Sequence, residues 1–203
     1  SLTSTASKSR GMQLAAQRHY GAGTPYGDMP FNMGDVITTV IKCANGETVT
    51  LTHGIALPRP YSRNGRVQGT RGIWLEDADG IYIDGISPSI EQIDVAGNPY
   101  TTHKWDRVDS FYEQYDHPIW QDCRRQQPAG GHGGIDSLAL RAFFDAVRTR
   151  GETPIDAYDV AAWMSVTCLS EQSIALGSQP VAFPDFTDGK WITRGRATGP
   201  WAL

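Results

Sequence analysis

Between Val36 and Asp84 the chain alternates β-branched runs with turn signals too short to hold a crossover helix. That spacing dictates antiparallel pairing, because a parallel pair needs a connection of a dozen residues or more. The run Val36–Cys43 stops at Asn45-Gly46, a strong hairpin signal. The return run Glu47–His53 places Val49, Leu51 and His53 on one face and Thr48, Thr50 and Thr52 on the other. A further strand is expected over Arg63–Gln68. Gly69–Gly72 turns it into Ile73–Glu76, and Asp79-Gly80 turns that run into Ile81–Asp84.

Upstream, Leu2–Ser7 suits a short strand and Gly11–Tyr20 a weakly amphipathic helix, with a Gly- and Pro-containing loop over Gly21–Gly34. Residues 85–109 show no clear period, and short helical pieces are expected over Ser110–Tyr115 and Pro118–Gln126. Two long helices follow. In the first, Ile135, Leu138, Ala139, Ala142, Phe143, Ala146 and Val147 form an apolar stripe opposite Arg141, Asp145 and Arg148. The second has Asp156 as N-cap, with Ile155 and Val160 at the positions of a hydrophobic staple, and ends at Gly177. Strands first and helices after predict an α+β fold, an open and mainly antiparallel sheet with helices packed on one face. The length of 203 residues fits one domain, residues 1–203.

Composition narrows function by exclusion. Lys plus Arg is 18 against 22 for Asp plus Glu, a net charge of -4, which argues against a nucleic-acid partner. No apolar run approaches the ~20 residues of a membrane span. The three cysteines, Cys43, Cys123 and Cys168, form no Cys-x-x-Cys, and no two of the five histidines stand at metal-ligand spacing, so no metal is expected. Asp77–Gly80 lacks the ligand spacing of a calcium loop. Gly21-Ala-Gly-Thr-Pro-Tyr-Gly27 fails as a dinucleotide fingerprint, because its third glycine is one position late and no strand–helix pair flanks it.

Two constellations remain. Gly130-Gly-His132-Gly-Gly134 sets one imidazole between two glycine pairs just before a strong helix. Four glycines cost conformational entropy and bury nothing, so they suit a mobile loop carrying an acid/base group. A helix-start loop with an incidental histidine is the alternative. In His53–Arg63, Pro58 and Pro60 stiffen a strand-exit loop and direct Arg59, Tyr61 and Arg63, side chains suited to a hydroxyl- or carboxylate-rich ligand such as a sugar. Surface charge pairing would also account for them.

Four motifs occur in an order that resembles a known group: Pro58-Arg-Pro-Tyr-Ser-Arg63 with Gln68-Gly-Thr-Arg-Gly72, Gly130–Asp136, Asp156-Ala-Tyr-Asp159 with Ala162-Trp163, and Phe183–Trp191. They resemble the C-terminal half of the Gfo/Idh/MocA oxidoreductases. Within that superfamily they are most similar to glycoside hydrolase family 109, the NAD-dependent N-acetylgalactosaminidases. The resemblance implies a substrate-binding and oligomerisation domain of a bacterial enzyme, partnered by its own N-terminal Rossmann domain, which would hold NAD(H) upstream of Ser1. The family's Tyr-Pro-Thr-His stretch would lie there too, and this chain alone is expected to bind no cofactor. The implied reaction is transient oxidation of the sugar at C3, loss of the C2 proton, expulsion of the glycosidic oxygen, and addition of water. Unlike two-carboxylate hydrolases, such a site needs no nucleophilic Asp/Glu pair. By resemblance His132 is the catalytic acid/base, Tyr61 a sugar contact and Arg59 a second one, while Tyr158 has a structural role. The resemblance suggests a periplasmic location. A glycoside or sugar substrate and a homo-oligomer are the expected partners, the sheet face left uncovered by the helices meeting a copy of itself or the Rossmann domain. Two further readings stay open: an NAD(P)-dependent sugar or cyclitol dehydrogenase of the same superfamily, and a non-catalytic sugar-binding or oligomerisation domain.

Overall fold

A computed structural model describes residues 1–126, 131–195 and 201. In chain order the elements are β1 (Leu2–Ala6), α1 (Arg10–Tyr20), β2 (Val36–Lys42), β3 (Thr48–Gly54), β4 (Arg66–Gly69), β5 (Gly72–Leu75), β6 (Gly80–Ile83), β7 (Ser89–Ile93), β8 (Pro99–His103), β9 (Asp106–Arg107), α2 (Tyr112–Tyr115), α3 (Pro118–Gln126), α4 (Ile135–Thr149) and α5 (Ala157–Ala175). The fold is α+β, and every strand pairing among the described residues is antiparallel. The strands form three separate sheets, β1-β2-β3, β4-β5-β6-β9 and β7-β8, rather than one continuous sheet. The described residues divide into two compact units, one from residues 1–59 and 150–195, the other from 60–126, 131–149 and Trp201.

In the first unit the β2–β3 hairpin has the register its alternation requires. Ile37 faces His53, Thr39 faces Leu51 and Ile41 faces Val49. The turn is closed by Gly46 N–H on the Cys43 carbonyl at 3.3 Å, with Gly46 at φ 104°. An L side chain rarely adopts that backbone, so glycine is required there. On the edge strand β1, Leu2 and Ser4 aim their N–H groups away from β2. Leu2 exchanges hydrogen bonds with Val181 at 2.9 and 2.8 Å, and Ser4 N–H donates to Ser173 Oγ on α5 at 2.9 Å. The edge is thereby closed to further strands. Beneath it Leu2, Leu169 and Val181 are buried against Ile41, Val166 and Phe183. Beside that cluster the hydroxyls of Ser4, Thr39 and Ser170 bond one another at 2.6, 3.0 and 3.1 Å. The opposite face of the sheet carries Thr3, Thr5, Thr38, Val40, Thr50 and Thr52.

The start of α5 follows the sequence closely. Asp156 accepts the N–H groups of Tyr158 and Asp159 at 2.8 and 2.9 Å, and Asp159 accepts Asp156 N–H at 3.1 Å, a reciprocal cap. Arg194 clamps both carboxylates, at 2.7 Å from Asp159 and 3.4 Å from Asp156, and holds the Asp159 carboxyl below the usual carboxylate range.

The second unit differs from expectation in three places. The third strand begins at Arg66 rather than Arg63, because the Pro60–Gly65 loop is bound instead to the Glu76-Asp77 turn. Gly65 N–H donates to Glu76 Oε2 at 2.8 Å, and Ser62 Oγ bonds Asp77. The β7–β8 ribbon is absent from the sequence reading, since nearly all its side chains are exposed and no apolar alternation marks it. Its turn is built by Asp94, whose carboxylate accepts Ala96 and Asn98 N–H at 2.8 Å each. The α4 stripe is narrower than expected. Ala146 is buried and Leu138 and Ala142 half-buried, whereas Ile135, Phe143 and Val147 are exposed. Helical spacing sets which residues share a face, and tertiary packing decides how much of that face is covered.

Candidate functional site

His132 opens a 3-10 turn, His132–Gly134, that runs directly into α4. Three consecutive residues lie at positive φ, His132 at 53°, Gly133 at 67° and Gly134 at 95°. Glycine is at ease there, but histidine pays for it, and such strain collects at functional positions. Two bonds brace the turn: Gly134 N–H on the Gly131 carbonyl at 3.1 Å and Ser137 Oγ on the Gly134 carbonyl at 3.0 Å. The glycines therefore serve a defined backbone path, in addition to whatever mobility the loop has. Gly130, the first glycine of the motif, lies outside the described residues.

The imidazole projects outward, its side chain 82% exposed, with Nδ1 3.2 and 3.1 Å from the two carboxylate oxygens of Asp136. Asp136 was not singled out by the sequence reading. The signal that could have found it is the His-x-x-x-Asp spacing across the start of the helix.

Tyr61 and Arg59 fall in different units. Tyr61 is 87% exposed, on the strand-exit loop, and its hydroxyl accepts Arg63 Nε at 3.4 Å. That bond and the nearby Glu76 carboxylate favour the charged guanidinium of Arg63 still further. Arg59 is exposed, between Pro58 and Pro60. Tyr61 and His132 belong to the same unit but have separate polar partners, Arg63 and Asp136. The loop thus presents a phenol aimed by a guanidinium, a pair suited to ring hydroxyls.

Other parts of the motifs carry structure. Asp156 and Asp159 form the cap described above, and Tyr158 stands half-exposed beside it. In Phe183–Trp191, Asp185 accepts Thr187 N–H at 3.0 Å and Gly189 N–H at 2.7 Å, which holds its carboxyl below the usual range. Thr187 Oγ1 in turn accepts Trp191 N–H at 3.1 Å, so this segment is a self-locked turn.

The Gly21–Gly27 loop does not fit a dinucleotide. It leaves the C-terminal end of α1, where the helix dipole is negative, and the N–H groups of its three glycines are spent internally. Gly21 N–H goes to the Gln17 carbonyl, Gly23 N–H to the Asp28 carboxylate and Gly27 N–H to Thr24 Oγ1. Among the described residues no three His, Cys, Asp or Glu side chains gather as a metal site, and no helix is long and apolar enough to cross a membrane. A separate cleft of about 610 Å³ lies in the first unit, where Val166, Ile174 and Glu171 of α5 face Ile37, Leu51 and His53 of the sheet.

The chain matches the family described as "Glycosyl hydrolase 109, C-terminal domain" over residues 1–193. It is 44% identical to a protein of Tannerella forsythia named alpha-N-acetylgalactosaminidase, over 96% of this chain and 39% of that protein. A Parabacteroides distasonis protein named glycosyl hydrolase family 109 protein is 41% identical over the same shares. A Shewanella oneidensis protein named alpha-N-acetylgalactosaminidase is 36% identical, over 94% of this chain and 40% of its own length. The chain thus spans about two-fifths of the curated relatives it matches.

Proposed function

Because the chain belongs to the glycosyl hydrolase 109 family as its C-terminal domain, we propose that it supplies the proton-transfer and sugar-contact groups of a bacterial N-acetylgalactosaminidase. The observation that carries this reading is His132, strained into a left-handed backbone at the start of α4, anchored through Nδ1 and otherwise open to solvent. Two relatives named alpha-N-acetylgalactosaminidase support the substrate class.

His132 acts as general acid and base. An imidazole near neutral pH can take a proton at one atom and return it at the same atom. With Nδ1 turned to Asp136, Nε2 is the atom that meets the glycoside. The imidazolium donates from Nε2 to the departing glycosidic oxygen, and the neutral ring then accepts a proton from the incoming water. Tyr61 contacts a sugar hydroxyl, its phenol oriented by Arg63. Part of the proposal is that the whole enzyme works through NAD held by a nucleotide-binding domain, as the resemblance implies. In this reading that domain would hold the cofactor, and this chain's part is the proton transfer and the sugar contacts.

The test is His132→Ala in the full-length enzyme. Hydrolysis of an N-acetylgalactosaminide with a poor leaving group should fall by about 10²–10⁴-fold, the usual worth of acid–base catalysis. An aryl glycoside with an activated phenol should lose less, because its leaving group needs less protonation. Equal losses for both would remove His132 from the acid role, and unchanged rates would return its loop to a structural reading.

A further inference from the structure

The histidine turn places a carboxylate where a proton-transferring imidazole needs one. Asp136 sits in the first turn of α4, its Oδ1 and Oδ2 at 3.2 and 3.1 Å from His132 Nδ1. The backbone makes room for it. A Cβ built on Gly131 would come within 2.5 Å of Asp136 Oδ2, so a side chain there would push the carboxylate off the ring. The left-handed run through Gly134 then folds the chain back so that residues 132 and 136 meet one turn apart.

From this geometry we infer that Asp136 is a positioning residue for His132. It accepts a hydrogen bond from Nδ1–H and so selects the tautomer whose bare nitrogen is Nε2, while fixing the plane of the ring. The inference rests on the acid/base reading of His132 and deepens it. A neutral imidazole free in water prefers its proton on Nε2, which would leave the wrong nitrogen bare. Because the two side chains are 82% and 55% exposed, their pairing adds little to folding. Its use is in tautomer and aim, the same service that a hydrogen-bonded neighbour gives a catalytic or metal-bound histidine. Asp136 also lies at a helix N-terminus, where any negative charge is favourable. The experiment must therefore separate positioning from helix stabilisation.

The full-length enzyme is labelled with ¹⁵N-histidine, and wild type, Asp136→Asn and Asp136→Glu are compared by imidazole nitrogen shifts and by kinetics. The His132 signal is assigned by its loss in His132→Ala. In wild type the neutral ring should be protonated on Nδ1. Asp136→Asn should move the proton toward Nε2 and lower kcat by about five-fold with KM little changed, the scale of an exposed charge pair. Asp136→Glu, which keeps the carboxylate, should recover most of the rate and the Nδ1 proton. A tautomer that does not respond to Asp136→Asn overturns the inference, even if the rate falls. So does equal slowing by both variants. Full activity in His132→Ala would instead overturn the acid/base reading itself, whatever Asp136 does.

Discussion

Removing one hydroxyl from the first unit tests how its edge strand is held. Ser173 Oγ accepts the outward N–H of Ser4 at 2.9 Å and donates to the Gln179 carbonyl at 2.7 Å. Ser4 and Ser173 are both 0% exposed, so water cannot replace the lost acceptor. Gln179 is exposed, and its carbonyl can turn to solvent. Ser173→Ala therefore leaves one buried amide unpaired, a cost of about 1–3 kcal/mol. We expect about 2 kcal/mol, a large part of a total stability of roughly 5–15 kcal/mol. For a chain of this length that lowers Tm by about 4–8 °C. Urea unfolding of the variant should show a reduced midpoint at unchanged slope, with faster deuterium exchange at the Ser4 amide. Ser178→Ala, which removes an exposed hydroxyl 3.1 Å from Thr5 Oγ1, serves as the control and should cost under about 0.5 kcal/mol. If Ser173→Ala matched that control, Ser173 would not be the partner that keeps β1 in place.

Three further outcomes are expected. Asp35 receives the N–H groups of Arg10, Gly11 and Met12 at 2.6, 2.6 and 3.1 Å, and these bonds, Gly11 foremost, hold its carboxyl below the usual range. A depressed carboxyl stabilises the fold above its unfolded value of about 3.9 and loses that contribution as pH falls through the lower folded value, so the Tm advantage of wild type over Asp35→Asn should be full at neutral pH and shrink below about pH 4. Gly133→Ala meets no atom within 4 Å but forces a Cβ onto φ 67°, and should cost about 1–2 kcal/mol in a denaturant melt while slowing turnover through a misaimed His132. Asp156→Ala uncaps α5 and deprives Arg194 of a partner, and should cost about 1 kcal/mol by the same melt.

Much of the candidate site was legible in the residues, because Gly-Gly-His-Gly-Gly before a helix is hard to justify by packing. What the imidazole touches was not legible. Whether Asp136 reaches Nδ1 depends on α4 beginning at Ile135 and on three successive left-handed residues, and both are set by the turn as a whole. Tyr61 stood out by composition, but its orientation by Arg63 rather than by the prolines alone required the loop's docking on Glu76 and Asp77.

By itself the sequence determined the antiparallel hairpins between Val36 and Asp84, the register of β2 on β3, the cap of α5 and the α+β class. Each follows from interactions within a few residues: side-chain alternation, a turn that needs glycine, a carboxylate three residues from an N–H. Tertiary structure alone decided that the strands part into three sheets, that Val181 and Ser173 close the edge of β1, and that of the apolar stripe on α4 only Leu138, Ala142 and Ala146 turn inward. Those outcomes join residues as much as 179 positions apart, Leu2 to Val181, and no local pattern records which distant partner will satisfy a group. The free energy of burying an amide or a methyl group depends on what meets it, and only the folded chain supplies that partner.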